Sequence, residues 1–246
     1  MELTATLLPD NQSDVLAMKR IKIAVDGPSS SGKSTLARDV AHALNYVYID
    51  TGAMYRAVTL FALRERLVDS GVLNVSALET SLERIFLSFR FNAGTRRSEI
   101  CLNGRTVEKE IRSMEVSKYV SPVAEVADVR TMLVRMQQKM GSSGGVVMDG
   151  RDIGSVVLPD AELKFYLTAN LETRTARRVA ELIAKGKPVD ADVVRENLIM
   201  RDRIDSTRIV APLVCAKDAI VVDNSDLSIE QQFEFIMGHA RQVIQS

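Results

Sequence analysis

The sequence is poor in cysteine, in charge of one sign and in long apolar runs. Its two cysteines, Cys101 and Cys215, lie far apart and outside any metal-ligand spacing. That excludes a disulfide framework and points to a reducing, cytoplasmic setting. Lysine plus arginine equals aspartate plus glutamate at 32 each, so the formal net charge is zero. A chain that grips a nucleic acid polymer through bulk electrostatics carries a basic excess, and no such partner is expected here. No apolar run approaches the roughly 20 residues of a membrane helix, so no membrane partner is expected either. Near the N-terminus, Pro9, Asp10, Asn11 and Gln12 interrupt what a signal peptide would need as a continuous apolar stretch. No apolar surface for a partner stands out, and a monomer is expected. What remains is 246 residues, 46% hydrophobic and 26% charged, the composition of a globular protein. The length suits one domain with an insertion, or one domain and a small second.

Residues 1–20 are weakly patterned and read as a disordered extension, or as residue left upstream of a start at Met18. Ile21-Lys22-Ile23-Ala24-Val25 is β-branched and runs into Asp26-Gly27, a strand entering a tight loop. Leu36, Val40, Ala43 and Leu44 then fall on one helical face. Tyr46 to Ile49 predicts a second strand ending at Asp50, and Met54 to Arg66 a helix. The middle differs: Ile85–Phe91, Ser98–Leu102 and Thr106-Val107 are short strand candidates, with turns at Asn92-Ala93-Gly94 and Asn103-Gly104. They predict a small antiparallel sheet inserted in a strand–helix series. A helix is expected from about Pro122 to Met140, strands at Val146–Met148, Leu163–Leu167 and Ala219–Val222, helices at about 172–185 and 190–204, and a closing amphipathic helix through Ile229, Phe233, Ile236 and Ala240. Five apolar strands alternating with helices predict an α/β fold with a parallel sheet covered on both faces. Ligands in such folds bind beyond the carboxyl ends of the strands.

Gly27-Pro28-Ser29-Ser30-Ser31-Gly32-Lys33-Ser34 fits the phosphate-loop pattern G-x-x-x-x-G-K-[ST]. An apolar strand precedes it and an amphipathic helix follows, as the motif requires. Its glycines let backbone N–H groups turn toward phosphate oxygens, and the helix presents its positive end. Lys33 can bridge the outer phosphates and the Ser34 hydroxyl can ligate Mg²⁺, with Thr35 beside it. The expected ligands are therefore ATP and Mg²⁺, on a P-loop NTPase-type core. Asp149, at the end of an apolar strand, either reaches the metal through water or supports the loop.

Phosphate loops serve many activities, and the sequence contains no Asn-Lys-x-Asp guanine reader. An arginine set suggests a phosphorylated acceptor: Arg56 just after the second strand, Arg151 after the third, and Arg201, Arg203 and Arg208 near the last helices. Guanidinium groups bind phosphate in bidentate fashion and stabilise charge spreading over a transferring phosphoryl group. The alternative for each is an ordinary surface arginine. Arg174, Arg177 and Arg178 have helical spacing and, taken alone, read as a solvated face. His42 and His239 read as structural or exposed.

Three further stretches carry a resemblance. Asp50-Thr51-Gly52-Ala53-Met54-Tyr55-Arg56, Asp149-Gly150-Arg151-Asp152-Ile153-Gly154, and Arg201 to Arg208 followed by Ala211-Pro212-Leu213 closely resemble bacterial cytidylate kinases, in unbroken order from about Ile21 to the end. The resemblance implies a nucleoside monophosphate kinase organisation. It comprises a core (about 21–60, 145–170 and 209–246), an acceptor-binding region with the inserted sheet (about 61–144), and a helical lid (about 171–208) with Gly186 and Pro188 between its helices. It implies transfer of the γ-phosphoryl group of ATP to CMP or dCMP. Thr51 and Arg56 would then meet the acceptor phosphate region, and Asp152 would read the cytosine amino group with Ser121 and Arg130. Arg201, Asp205 and Arg208 would bind sugar and phosphates, Arg177 would lie near ATP, and Lys33, Arg151 and Arg208 would be catalytic. A related small-molecule or nucleotide kinase, or a non-catalytic nucleotide-binding regulator, are the alternatives.

Overall fold

The computed structural model describes residues 19–246 apart from 93, 95, 96 and 187–189. Most of the expected N-terminal extension, part of the Asn92-Ala93-Gly94 turn, and Pro188 therefore lie outside the described residues.

β1 (Lys22–Asp26) leads through the phosphate loop into α1 (Lys33–Ala43), then β2 (Val47–Asp50) and α2 (Thr51–Arg64). α2 starts three residues before the expected Met54, because Asp50 caps it and its Oδ1 accepts the Ala53 N–H at 2.9 Å. A short hairpin, β3 (Val68–Asp69) and β4 (Val72–Leu73), and α3 (Val75–Thr80) follow. The inserted antiparallel sheet is β5 (Leu87–Asn92), β6 (Arg97–Leu102) and β7 (Arg105–Thr106). β6 and β7 are joined at Asn103-Gly104, both with positive φ (49° and 80°), as a two-residue hairpin turn demands.

One expectation is corrected here. The helix expected from Pro122 to Met140 is two helices, α4 (Met114–Glu125) and α5 (Ala127–Gly141), with Pro122 inside the first. Proline is best tolerated at the first turn, which suggested a start there. The true start is Ser113, whose hydroxyl accepts the Val116 N–H at 3.2 Å. The break falls at Val126, which is extended (φ −67°, ψ 118°).

β8 (Val146–Gly150), β9 (Leu163–Thr168), α6 (Leu171–Ala184), α7 (Ala191–Thr207), β10 (Ile220–Asp223) and α8 (Ile229–Gln245) complete the chain. Five strands form one parallel sheet in the order β10-β9-β1-β8-β2. β1 is central, and the strand order turns about it, so the crevice beyond its carboxyl end is the expected ligand site.

Strand alternation builds a core on each face. Ile23, Val25, Phe165 and Leu167 pack with Leu36 and Val40 of α1 and Ile236 and Met237 of α8. Ala24, Ile49 and Met148 point the other way, against Ile153, Val157 and Leu158. A separate core joins α2, α4, α5 and β6 through Met54, Val58, Phe61, Ile100, Val120 and Leu133. α6 and α7 share a small cluster of Leu182, Val194 and Leu198. Among the described residues no helix is long and apolar enough to cross a membrane.

Candidate active site

A cleft of about 1880 Å³ opens above the carboxyl ends of β1, β2 and β8. Its floor is the phosphate loop. Gly27 has φ 151°, and a Cβ there would come within 2.0 Å of the Leu167 carbonyl oxygen, so only glycine lets the loop leave the sheet. Gly32 (φ 89°) caps α1 without any side chain taking its N–H groups, and the first turn of α1 carries no acidic residue. That helix end is left for an anion. Ser29, Ser30, Gly32, Lys33, Ser34 and Thr35 face the cleft. Gly27, Pro28 and Ser31 form the loop's back, and the Pro28 carbonyl accepts the Lys33 ammonium at 2.9 Å. Burial, with Arg151 nearby, pushes Lys33 down to about 7. A buried ammonium in this state is restored to full charge by a bound polyphosphate.

Beside it, Asp149 accepts the Ser34 hydroxyl at 2.7 Å on one oxygen and the Tyr48 hydroxyl at 2.8 Å on the other. Burial and the nearby Asp50 push its carboxyl up to about 6. The Thr51 hydroxyl donates to the Asp149 backbone carbonyl at 2.7 Å, so it braces the β8 end as well as lining the cleft. Sequence reasoning passed over Asp26. Its carboxylate lies behind the loop and accepts the N–H groups of Ile153 and Gly154, each at 2.8 Å. It thereby ties β1 to the turn that carries Arg151 and Asp152.

Burial pushes Asp26 up to about 6 from 3.8. The folded state therefore binds more protons than the unfolded one between these values, and the Asp26 contribution to stability declines as pH rises from about 4 to about 6. At ~1.4 kcal/mol per pKa unit the change is about 3 kcal/mol. Urea unfolding across that range is expected to show the parent losing stability relative to Asp26→Asn by this order as pH rises. A difference independent of pH would contradict the assignment.

The walls are arginines held by acids. Arg151 Nε donates to Asp205 Oδ2 at 2.7 Å. Asp152 is paired with Arg130 and lies 3.6 Å from Arg208. The salt-bridge partners of Asp152 are thus Arg130 and Arg208, while its neighbour Arg151 is held by Asp205. Arg208 is further fixed by donating to the Ala211 carbonyl at 2.8 Å. Ser121 is buried and lines the same wall. Arg56 and Arg201 close the far side. Burial and the neighbouring guanidinium groups lower both, Arg201 to about 10. An anion bound among them relieves that repulsion. Arg201, Asp205 and Arg208 share a face of α7 and its C-cap, whereas Arg203 is exposed away from the cleft.

On α6, Arg177 faces the phosphate loop, and its Nη1 donates to Asn224 Oδ1 at 2.9 Å. Two residues read from sequence as a solvated face are part of the site. Arg174 is buried and donates to the Ser29 carbonyl at 3.2 Å and to Asp202 at 2.6 Å. Arg178 lines the cleft, and its Nη2 is buried without a hydrogen-bond partner, as is Arg201 Nε. Arg112, from the turn before α4, also reaches the cleft, bonded to Asp50 at 3.2 Å. His42 is exposed and is among the residues lining the cleft, whereas His239 is not.

The cytidylate kinase family model matches residues 23–242. The cytidylate kinase of Parabacteroides distasonis is 52% identical over 229 residues, covering 93% of this chain and 100% of that protein. That of Flavobacterium johnsoniae is 51% identical over 227 residues, covering 92% and 99%. That of Porphyromonas gingivalis is 51% identical over 224 residues, covering 91% and 97%. The matched span takes in the phosphate loop, the inserted sheet and the arginine-bearing helices, and the chain belongs to the cytidylate kinase family.

Proposed function

We propose that the protein transfers the γ-phosphoryl group of ATP to CMP or dCMP, giving ADP and CDP or dCDP. The single observation that carries this reading is the pairing, across one cleft, of a phosphate loop with a buried Lys33 and an acid-held arginine wall around Asp152.

The donor's phosphates lie in the loop, against the N-terminus of α1 and the Lys33 ammonium. An already ionised phosphate oxygen of the acceptor attacks the γ-phosphorus, a bond forms there, and the bond to the β–γ bridging oxygen breaks to leave ADP. No general base is needed, so catalysis is positioning and charge stabilisation. Lys33, Arg151 and Arg208 supply charge, with Arg56 and Arg201 at the acceptor phosphate. Arg178 joins them, because its unpartnered buried nitrogen has its hydrogen-bonding capacity free.

Base reading follows from hydrogen-bond polarity. The Asp152 carboxylate accepts from the cytosine amino group, while Ser121 and Arg130 satisfy the ring carbonyl and nitrogen. Uracil offers O4, an acceptor, to the same carboxylate and leaves buried groups unpaired.

The residues present fit Mg²⁺. Ser34 and Asp149 form an oxygen-only pair, and among the described residues no cluster of three or more His, Cys, Asp or Glu could hold a metal by itself. Magnesium takes few protein ligands and completes its shell with water and substrate phosphates. Ser34 would hold it directly, with Asp149 behind, and the ion when bound neutralises charge on the outer phosphates. α6 and α7, with their own apolar cluster, are suited to move as a lid that excludes water and so protects ATP from hydrolysis. The protein acts as a monomer in a reducing cytoplasm, where Cys101 and Cys215 stay free thiols.

Incubation with Mg-ATP and CMP is expected to yield CDP and ADP in equal amounts. ATP consumption that does not depend on the acceptor would overturn the reading.

A further inference from the structure

Asn224, in the loop between β10 and α8, is fully buried, and every hydrogen-bonding group of its amide is used. Its Nδ2 donates to the Ser31 carbonyl at 2.7 Å and to Gln232 Oε1 at 2.8 Å. Its Oδ1 accepts from Arg177 Nη1 at 2.9 Å, and its backbone carbonyl accepts from Arg177 Nη2 at 2.8 Å. Its own N–H donates to the Thr168 carbonyl at 2.9 Å. One residue therefore joins the phosphate loop, α6, the end of β9 and α8. It lies directly behind the loop, since a Cβ added at Gly32 would come within 3.7 Å of Asn224 Nδ2 and 3.9 Å of Arg177 Nη1.

Two consequences follow from elementary geometry. In a planar trans peptide, the C=O and the following N–H point in opposite directions. With the Ser31 carbonyl anchored on Asn224 behind the loop, the Gly32 N–H of the same peptide is turned toward the cleft, where a phosphate oxygen would take it. Second, both terminal nitrogens of Arg177 are committed to Asn224, which fixes the guanidinium plane. A guanidinium held by its edge keeps its face for stacking on an aromatic ring.

We propose that Asn224 is a positioning residue for the phosphoryl donor, holding Arg177 edge-on and orienting the Ser31–Gly32 peptide of the phosphate loop. The proposal rests on the reading of that loop as the donor site, and it is independent of how the acceptor base is read. An apolar residue would fill the same space but would take the 2.7 Å Nδ2 donor from the Ser31 carbonyl, leaving it only Arg177 Nη1 at 3.4 Å, and the Oδ1 acceptor from Arg177, leaving it the Asn224 backbone carbonyl.

The test is ATP binding by calorimetry with no acceptor present, together with separate KM values for ATP and CMP. Asn224→Ala is expected to raise the ATP Kd and KM by about tenfold or more, in line with losing hydrogen bonds to a charged group. The CMP KM is expected to change by less than about twofold. Asn224→Asp, which keeps the shape, retains the acceptor for Arg177 but sets a carboxylate oxygen against the Ser31 carbonyl. It is expected to show the same donor-selective loss, read on the folded fraction of either variant. Arg177→Ala combined with Asn224→Ala is expected to lose less than the product of the two single effects. A lowered thermal midpoint with unchanged ATP affinity, or equal increases in both KM values, would overturn the proposal. Absence of ATP binding by the parent protein would instead refute the donor-site reading beneath it.

Discussion

Lys33→Ala is expected to lower turnover by about a thousandfold or more, while the protein stays folded. The magnitude follows from removing one preorganised, buried charge from the position where negative charge develops. Lys33 is buried, its ammonium rests on the Pro28 carbonyl, and burial pushes it down to about 7. The folded protein therefore bears a desolvation cost for this side chain, offset in part by Asp149 and Asp50 and further by a bound anion. Removing it is expected to leave the thermal midpoint unchanged or slightly raised, the opposite of what a structural lysine would show. Turnover near that of the parent would mean that the loop does not hold the transferring phosphates.

Asp152→Asn is expected to reduce the CMP-over-UMP preference by about a hundredfold, with UMP turnover rising rather than CMP turnover merely falling. A site built to accept a hydrogen bond rejects a base that offers another acceptor, and such pairs discriminate by orders of magnitude. The asparagine amide can instead donate to uracil O4. The substitution has a second effect, because Asp152 is the buried partner of Arg130 and lies 3.6 Å from Arg208. Taking one charge from a buried pair typically costs about 3–5 kcal/mol, so the variant is expected to melt earlier. The ratio of the two activities is read within one preparation and is insensitive to the folded fraction. An unchanged ratio would show that cytosine is read by other groups.

The parts of the molecule legible in the sequence are those set by neighbours along the chain. The strand, glycine turn and helix around Lys33 are local, and so is the Asn103-Gly104 hairpin, where two positive φ values need residues that tolerate them. β1, β8 and β9 showed as apolar runs because they are buried on both faces, whereas the edge strands β2 and β10 were legible from β-branched and aromatic residues although Val47 and Val221 are exposed. What escaped depends on distant parts of the chain or on weak local signals. The Ser113 cap lacks the glutamate or glutamine that would complete a capping box, and the break at Val126 falls on a β-branched residue with no glycine or proline to mark it. Arg174 and Arg178 carry charges on a helix that reads as solvated, because periodicity separates polar from apolar but cannot separate solvent from a polar cleft. Asp26 and Asn224 act through partners more than a hundred residues away, on Ile153 and on Ser31. Only the folded chain brings them together.

The most direct test of the account is a coupled ADP-release assay with Mg-ATP and, in separate wells, CMP, dCMP, UMP, AMP and GMP. Strong turnover confined to CMP and dCMP is the expected result. Turnover confined to another acceptor would leave a kinase but remove the base-reading role given to Asp152, Arg130 and Ser121. No acceptor-dependent turnover, from folded protein that still binds ATP, would contradict the account and point to a nucleotide-binding regulator.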